Sequence, residues 1–403
     1  MKQTMLSPAA PDKRPLGVYL HIPFCVRKCL YCDFLSMAAT DEVIDRYVQA
    51  LCRQIKKEAP AYGDFCVNTV FLGGGTPSLL KGNQLQQILD TVRAYFLVEP
   101  DAEITMESNP GTLTSDKLKA YRRAGINRLS MGLQSTEDHL LQALGRIHTW
   151  QEFCENFRAA RAAGFDNINI DLMSALPGQT CADWMETLRK VTELEPEHIS
   201  AYSLIIEEGT PFYDRYGEEG DPGAYPALPD EDEERQMYAR TEEFLKEKGY
   251  HRYEISNYAR EGRECIHNVG NWNRVEYVGF GIGAASLAEN RRFQVISGLH
   301  TYLQELEQGE GIWSRLHEDV LELDETAQME EFMFLGLRLA QGVSAVRFQA
   351  CFGRDITEVY GSVLEELEQQ ELLVYDRSRQ QIWLTPRGVD VSNYVLAQFL
   401  LEE

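Results

Sequence analysis

Long hydrophobic runs are missing from this sequence. No stretch approaches the roughly 20 apolar residues that a bilayer-crossing helix needs, and Met1 to Arg14 lacks the apolar core of a secretory signal. The expectation is a cytoplasmic protein with no stable membrane insertion. Positive charge is also scarce, with 39 Lys and Arg against 63 Asp and Glu and a formal net charge of −24. Such a surface repels phosphate backbones, so nucleic acid is not an expected partner. Cysteine is too sparse and too scattered for a disulfide framework. There are nine, an odd number, and Cys52, Cys66, Cys154, Cys181, Cys265 and Cys351 stand apart from one another, as buried or idle thiols in a reducing compartment do. Internal repeats and low-complexity tracts are absent, while 44% hydrophobic and 25% charged residues fit an ordinary globular chain long enough for more than one domain.

The other three cysteines are the feature around which the chain is organised. Cys25, Cys29 and Cys32, spaced C-x3-C-x2-C, follow a short apolar run ending at Ile22. Thiolates on one short loop can bind three irons of a cubane cluster and leave the fourth open. A zinc site is the alternative, but zinc takes four ligands and no second CxxC or His pair accompanies the trio. Plain reduced thiols are the other alternative, and three within eight positions argue against it.

Apolar β-rich runs alternate with segments of helical period through the first half of the chain. Strands are expected at 17–22, 68–73, 102–107, 128–132, 167–172 and 198–204, with helices at 41–58, 82–96, 115–124, 136–144, 149–163 and 181–194. Six βα units predict a parallel sheet, either open and doubly wound or curled into a partial or full barrel. The barrel is favoured because each strand ends in polar or glycine-rich punctuation, where the loops of such folds build their sites. Residues 207–234 read as an exposed excursion and 234–248 as a helix ending at Gly249. Three helical patterns and a hairpin around 377–380 then give a winged-helix pattern. From Asp319 onward it carries six arginines and no lysine against sixteen Asp and Glu, which favours an interaction or lid module over DNA binding. The expected division is a tail at 1–14, a core at 15–260, a connecting region at 261–318 and a small domain at 319–403.

Several strand ends carry candidate ligand groups. Gly73-Gly74-Gly75-Thr76-Pro77 lets backbone groups approach a ligand closely, and without the lysine of a P-loop it suits an amino-acid moiety better than a phosphate. Glu107, at a strand end, would need an amine or a ribose hydroxyl to satisfy it. Gln134 and Asp171 occupy comparable positions and are read either as ligand contacts or as inter-strand hydrogen bonds. Arg146 is either a surface helix-end cation or a carboxylate clamp. The stretch Cys265-Ile266-His267-Asn268-Val269-Gly270-Asn271-Trp272 offers a histidine and a tryptophan that could ligate and stack on heme, although most lone histidines are structural.

Tyr19-x-His21-x-Pro23-Phe24-Cys25-x3-Cys29-x2-Cys32 resembles the signature of radical S-adenosylmethionine (SAM) proteins related to oxygen-independent coproporphyrinogen III oxidase. Gly73 to Pro77, Glu107 to Pro110, Ser130 to Ser135, Leu144 to His148 and Asp171 to Met173 continue the resemblance in order, over nearly the whole chain from Gly17. Within that superfamily the sequence is more similar to the HemW-type heme chaperones. The oxidase has a further cysteine two residues after the third, where this chain has Phe34, so the oxidase is the second reading. The resemblance implies a partial (β/α)6 TIM-like barrel with a winged-helix-like C-terminal domain.

It further implies a [4Fe-4S] cluster on Cys25, Cys29 and Cys32, with SAM on the open iron. Tyr19, Gly74 and Glu107 match positions lining a first SAM site, and Gly75, Thr76, Gln134, Arg146 and Asp171 match positions that hold a second SAM in the oxidase. The implied partners are heme, a heme-acceptor protein and an electron donor for the cluster. Three departures stand out: Asn271 replaces the tyrosine usual before Trp272, Ala285 the histidine usual after Gly-Ala, and Ala175 a usual glycine.

Overall fold

A computed structural model describes residues 13–221, 223, 225–307 and 313–401. The expected tail therefore lies outside the described residues up to position 12. Six parallel strands form the centre of the fold: β1 (Arg14–Ile22), β2 (Phe65–Gly74), β3 (Val98–Ser108), β4 (Arg128–Gln134), β5 (Ile168–Ser174) and β6 (His198–Ser203). They lie side by side in chain order, each paired in parallel with the next. The crossover helices begin where threonine supplies a cap. Thr40, Thr114, Thr149 and Thr180 each accept a backbone N–H from the first turn of the helix that follows. The helices bury Tyr47, Leu51, Ile55, Leu85, Leu89, Leu118, Phe153 and Trp184 against Leu16, Val18, Leu20 and Ile22 of β1 and their counterparts on neighbouring strands.

Because strand side chains alternate, the residues facing away from this apolar layer form a second, polar interior. Tyr19 stacks toward Phe71 at 6.3 Å, Thr69 meets His267 at 2.9 Å, Ser130 donates to Asp171 at 3.1 Å, and Asn169 meets His198 at 2.6 Å. A barrel filled this way has apolar packing outside its strands and hydrogen bonds inside. The sheet does not close on itself among the described residues, so the arrangement is the partial barrel that the family resemblance implies.

The region at 261–318 is not a connection. Strand β9 (Tyr277–Phe280) pairs in parallel with β1, and β10 (Ala285–Ala288), β11 (Arg291–Val295) and β12 (His317–Glu322) extend the same sheet antiparallel. At the other edge β8 (Asn257–Ala259) runs antiparallel to β6 and pairs with β7 (His251–Arg252), which gives a twelve-stranded sheet. The expected boundary at 319 also falls inside β12, so the sheet ends at Glu322. These strands are short, and β10 and β11 meet at a two-residue turn with positive φ at Glu289 and Asn290. That geometry normally signals itself as Asn-Gly, which this turn lacks.

The remaining residues pack as a separate core around Phe332, Phe348, Tyr360, Leu364, Ile382 and Phe399. Helices Glu325–Gly336, Ala345–Phe352 and Ile356–Gln369 precede the hairpin of β14 (Leu373–Asp376) and β15 (Gln381–Leu384). Val343 and Ser344 form a short strand, β13, against β15, and Ser344 caps the helix after it. The winged-helix-like pattern stands with this third strand added. The domain is fastened to the sheet by Glu331, which is buried and paired with Arg274 and Arg292 at 2.8 and 2.5 Å.

Candidate functional site

The loop after β1 carries the three cysteines, all free and all partly exposed. It is tied down from three sides. Cys25 N–H donates to Met37 O at 3.0 Å and Met37 N–H to Pro23 O at 2.8 Å. Leu30 N–H donates to Leu144 O, and Leu30 O accepts from Phe212 N–H, both at 3.1 Å. Among the described residues no three His, Cys, Asp or Glu side chains converge as they would on one metal ion. Burial pushes the Cys32 thiol up to about 11, against a partial offset from the backbone N–H of Phe34.

Gly73, Gly74 and Gly75 pass directly behind this loop. Gly74 adopts a φ of +112°, and a Cβ there would lie 2.6 Å from the His21 ring. A Cβ on Gly75 would lie 2.8 Å from Phe24 O and 3.0 Å from Cys25 Sγ. Glycine is required at both positions for the strand end to approach the cysteines. Thr76 Oγ1 then reaches Cys25 Sγ at 3.5 Å. The glycine run thus meets the cysteine loop, as its sequence position suggests.

Glu107 is half-buried and accepts the Gly74 N–H at 3.1 Å. Burial and the nearby Asp171 carboxylate push it from 4.5 up to about 8. Tyr19 donates to or accepts from His21 Nδ1 at 3.1 Å, and His21 Nε2 bonds Leu35 O at 2.9 Å, so both side chains are fixed beside Glu107. Asp171 is held by Ser130 at 3.1 Å and Asn169 at 2.7 Å. A bulge before Gln134 gives it a φ of +72° and brings its amide oxygen to Tyr202 Oη at 3.2 Å. Gln134 and Asp171 both make inter-strand hydrogen bonds.

Arg146 is no surface cation. Its guanidinium donates to Gly132 O, to Asn109 Oδ1 at 2.8 Å and to Cys29 Sγ at 3.6 Å. Gly145 before it, at φ +78°, seats Leu30 against the same segment. A cleft opens here, lined by Val26, Arg27, Cys29, Thr76, Asn109 and Arg146 among others. Sequence reasoning passed over Asn109 and Tyr202, although Asn109 lies inside the quoted Glu107-Ser108-Asn109-Pro110 phrase.

His267 and Trp272 are not brought to this cleft. His267 sits inside the barrel, bonded to Thr69 and stacked on Phe71 at 5.1 Å, and burial pushes it down to about 4. The Glu103 carboxylate from β3 accepts the N–H groups of Ile266 and His267 and so caps the helix Ile266–Trp272. Trp272 lies under the Arg338 guanidinium of the C-terminal domain at 4.5 Å. A separate small cleft beside His267 involves Gly17 and Thr69, well before the strand ends.

The Glu107 shift has a measurable consequence. Between pH 4.5 and 8 the native protein keeps a proton that the unfolded chain has lost, so stability falls as pH rises through that window and levels off above it. The loss is about 5 kcal/mol, and Glu107→Gln flattens it. Urea melts of the metal-free protein at pH 5 to 8.5 measure both slopes, and identical slopes for the two proteins contradict the assignment.

Comparison with known proteins agrees with this geometry. The radical SAM superfamily model matches residues 19–191, and the HemN C-terminal domain model matches 323–391, which starts where β12 ends. The heme chaperone HemW of Lactococcus lactis is 35% identical over 97% of this chain and 99% of its own length, and that of Escherichia coli is 37% identical over 96% and 99%. The solved structure of the coproporphyrinogen III oxidase HemN from Escherichia coli superposes with a TM-score of 0.80 at 23% identity, covering 96% of this chain and 91% of that one, which bears on the fold alone. Radical SAM membership brings with it a [4Fe-4S] cluster and SAM. With full-length identity above one third to curated relatives and a barrel that gathers its cysteines and strand ends at one mouth, the chain belongs to the HemW family of heme chaperones on a radical SAM fold.

Proposed function

We propose that this protein binds heme and passes it to an acceptor protein, using a [4Fe-4S] cluster with exchangeable SAM. The observation that carries the reading is the apolar rim beside the cysteine loop. Phe34, two residues past Cys32, is 60% exposed, and Val26 and Ile147 on the cleft are 59% and 57% exposed. Exposed apolar side chains beside a cofactor loop suit a flat apolar cargo. The oxidase's extra cysteine, by contrast, is absent.

In this reading Cys25, Cys29 and Cys32 hold the cluster, and Tyr19, Gly74 and Glu107 receive SAM. A cluster with bound SAM supplies one-electron reduction of a sulfonium. The chain's own part is to orient and exclude water: glycine backbones allow close approach, and Glu107 releases its proton when a ligand ammonium arrives. Gly75, Thr76, Gln134, Arg146 and Asp171 remain the candidates for a second SAM, although in this conformation Arg146 and Asp171 are occupied by protein partners. His267 is a neutral structural histidine here, which supports a heme seat other than this side chain in the same conformation. An acidic C-terminal domain serves as an interaction or lid module, with an electron donor and a heme acceptor as the protein partners, in the cytoplasm. No described helix is long and apolar enough to cross a membrane.

Incubation of reconstituted protein with coproporphyrinogen III, SAM and a reductant separates the two readings. The chaperone forms no protoporphyrinogen. Turnover at a rate above that of a cluster-free control transfers the chain to the oxidase reading.

A further inference from the structure

The cysteine loop is met by a continuous line of hydrogen bonds that begins on one sulfur and ends on another. Arg146 donates Nη1–H to Cys29 Sγ at 3.6 Å and Nη2–H to Asn109 Oδ1 at 2.8 Å. Asn109 donates its amide Nδ2–H to Thr76 Oγ1 at 2.8 Å. Thr76 Oγ1 lies 3.5 Å from Cys25 Sγ. The directions are fixed by chemistry. Arginine only donates, so Asn109 must present its oxygen to Arg146 and its NH2 to Thr76. Against a cluster-bound Cys25 thiolate, which carries no proton, the Thr76 hydroxyl is the donor.

We propose that Thr76, Asn109 and Arg146 form an arc that aims two hydrogen-bond donors at the sulfurs of Cys25 and Cys29, and that Asn109 is the positioning residue that sets the direction of both. The inference rests on the reading that these cysteines hold a cluster. Donors to cluster sulfurs withdraw electron density and raise the reduction potential, and outer-shell partners of metal ligands also slow metal loss. Cys32 has no place on the arc, so the influence falls on two of the three sulfurs. The three residues come from three strand ends: Thr76 after β2, Asn109 after β3 and Arg146 beyond β4. A shift of any one of these ends is therefore felt at the sulfurs.

Asn109→Asp is the decisive substitution, because aspartate keeps the size and still accepts from Arg146 but cannot donate to Thr76. In full-length reconstituted protein the arc predicts a lower cluster midpoint potential and about tenfold faster iron release to a chelator. Arg146→Lys keeps the charge, loses the fork and lowers the potential as well. In metal-free Asn109→Asp, the alkylation rate of Cys25 changes while that of Cys32 does not. Should Asn109→Asp fail to fold, Thr76→Val removes one donor and reads the same potential. Variants that reconstitute with unchanged potential and unchanged iron release overturn the arc, including the case in which SAM affinity alone falls. Wild-type protein that takes up no cluster at all refutes the cysteine assignment instead.

Discussion

Cys29→Ala abolishes the charge-transfer absorption near roughly 400 nm expected of a thiolate-held cluster, and with it SAM binding, while the protein still folds. The fold survives because Cys29 is partly exposed and its loop is fastened by backbone bonds from Cys25, Leu30 and Met37 that the substitution leaves intact. A cubane with two remaining cysteine ligands loses iron, so the expected drop in iron content after anaerobic reconstitution is at least tenfold. Ultraviolet-visible spectra and iron analysis read the result. A full-intensity band in the mutant removes Cys29 from the ligand set. Cys181→Ala is the matched control. It alters a partly exposed thiol on a crossover helix and leaves the band unchanged.

Gly74→Ala has the second largest expected effect, and two independent costs produce it. The backbone at φ +112° is one that an L-residue enters only with strain of about 1–3 kcal/mol. The new methyl also meets the His21 ring at 2.6 Å, and that ring cannot step aside without breaking its bonds to Tyr19 and Leu35. Displacing it disturbs Tyr19 and the Gly74 N–H that Glu107 accepts, three of the groups assigned to SAM. The expected loss in SAM affinity is at least tenfold. Gly111→Ala makes the contrast, since φ is +83° there but nothing lies within 4 Å of the added carbon. It costs backbone strain alone. Equal SAM affinity in the two variants argues against the crowded strand end as the ligand's seat.

The legible part of the fold was the part written in period. Six strands separated by helices with threonine caps give the barrel order, and the small domain's helices and hairpin stand where their apolar spacing puts them. Short strands such as Tyr277–Phe280 were not legible, because what makes them strands is the partners on either side, β1 and β10, rather than any alternation of their own. The site followed the same division. Cysteine spacing and glycine runs announce themselves, since few other chemistries need those residues in that order. The polar barrel interior does not, because Arg128, Asn169 and His198 look like ordinary polar residues until the curl of the sheet turns them inward. His267 shows the opposite case. Its motif draws attention, but the fold places the ring on Phe71 inside the barrel, where its visible partner is Thr69.

Gel filtration of anaerobically reconstituted protein after incubation with heme decides whether this chain carries heme. A Soret-absorbing complex is expected to elute with the protein at one heme per chain and to persist in Cys29→Ala, whose defect lies in cluster and SAM binding. Heme that elutes entirely in the small-molecule fractions, with wild-type protein intact and cluster-loaded, contradicts that expectation.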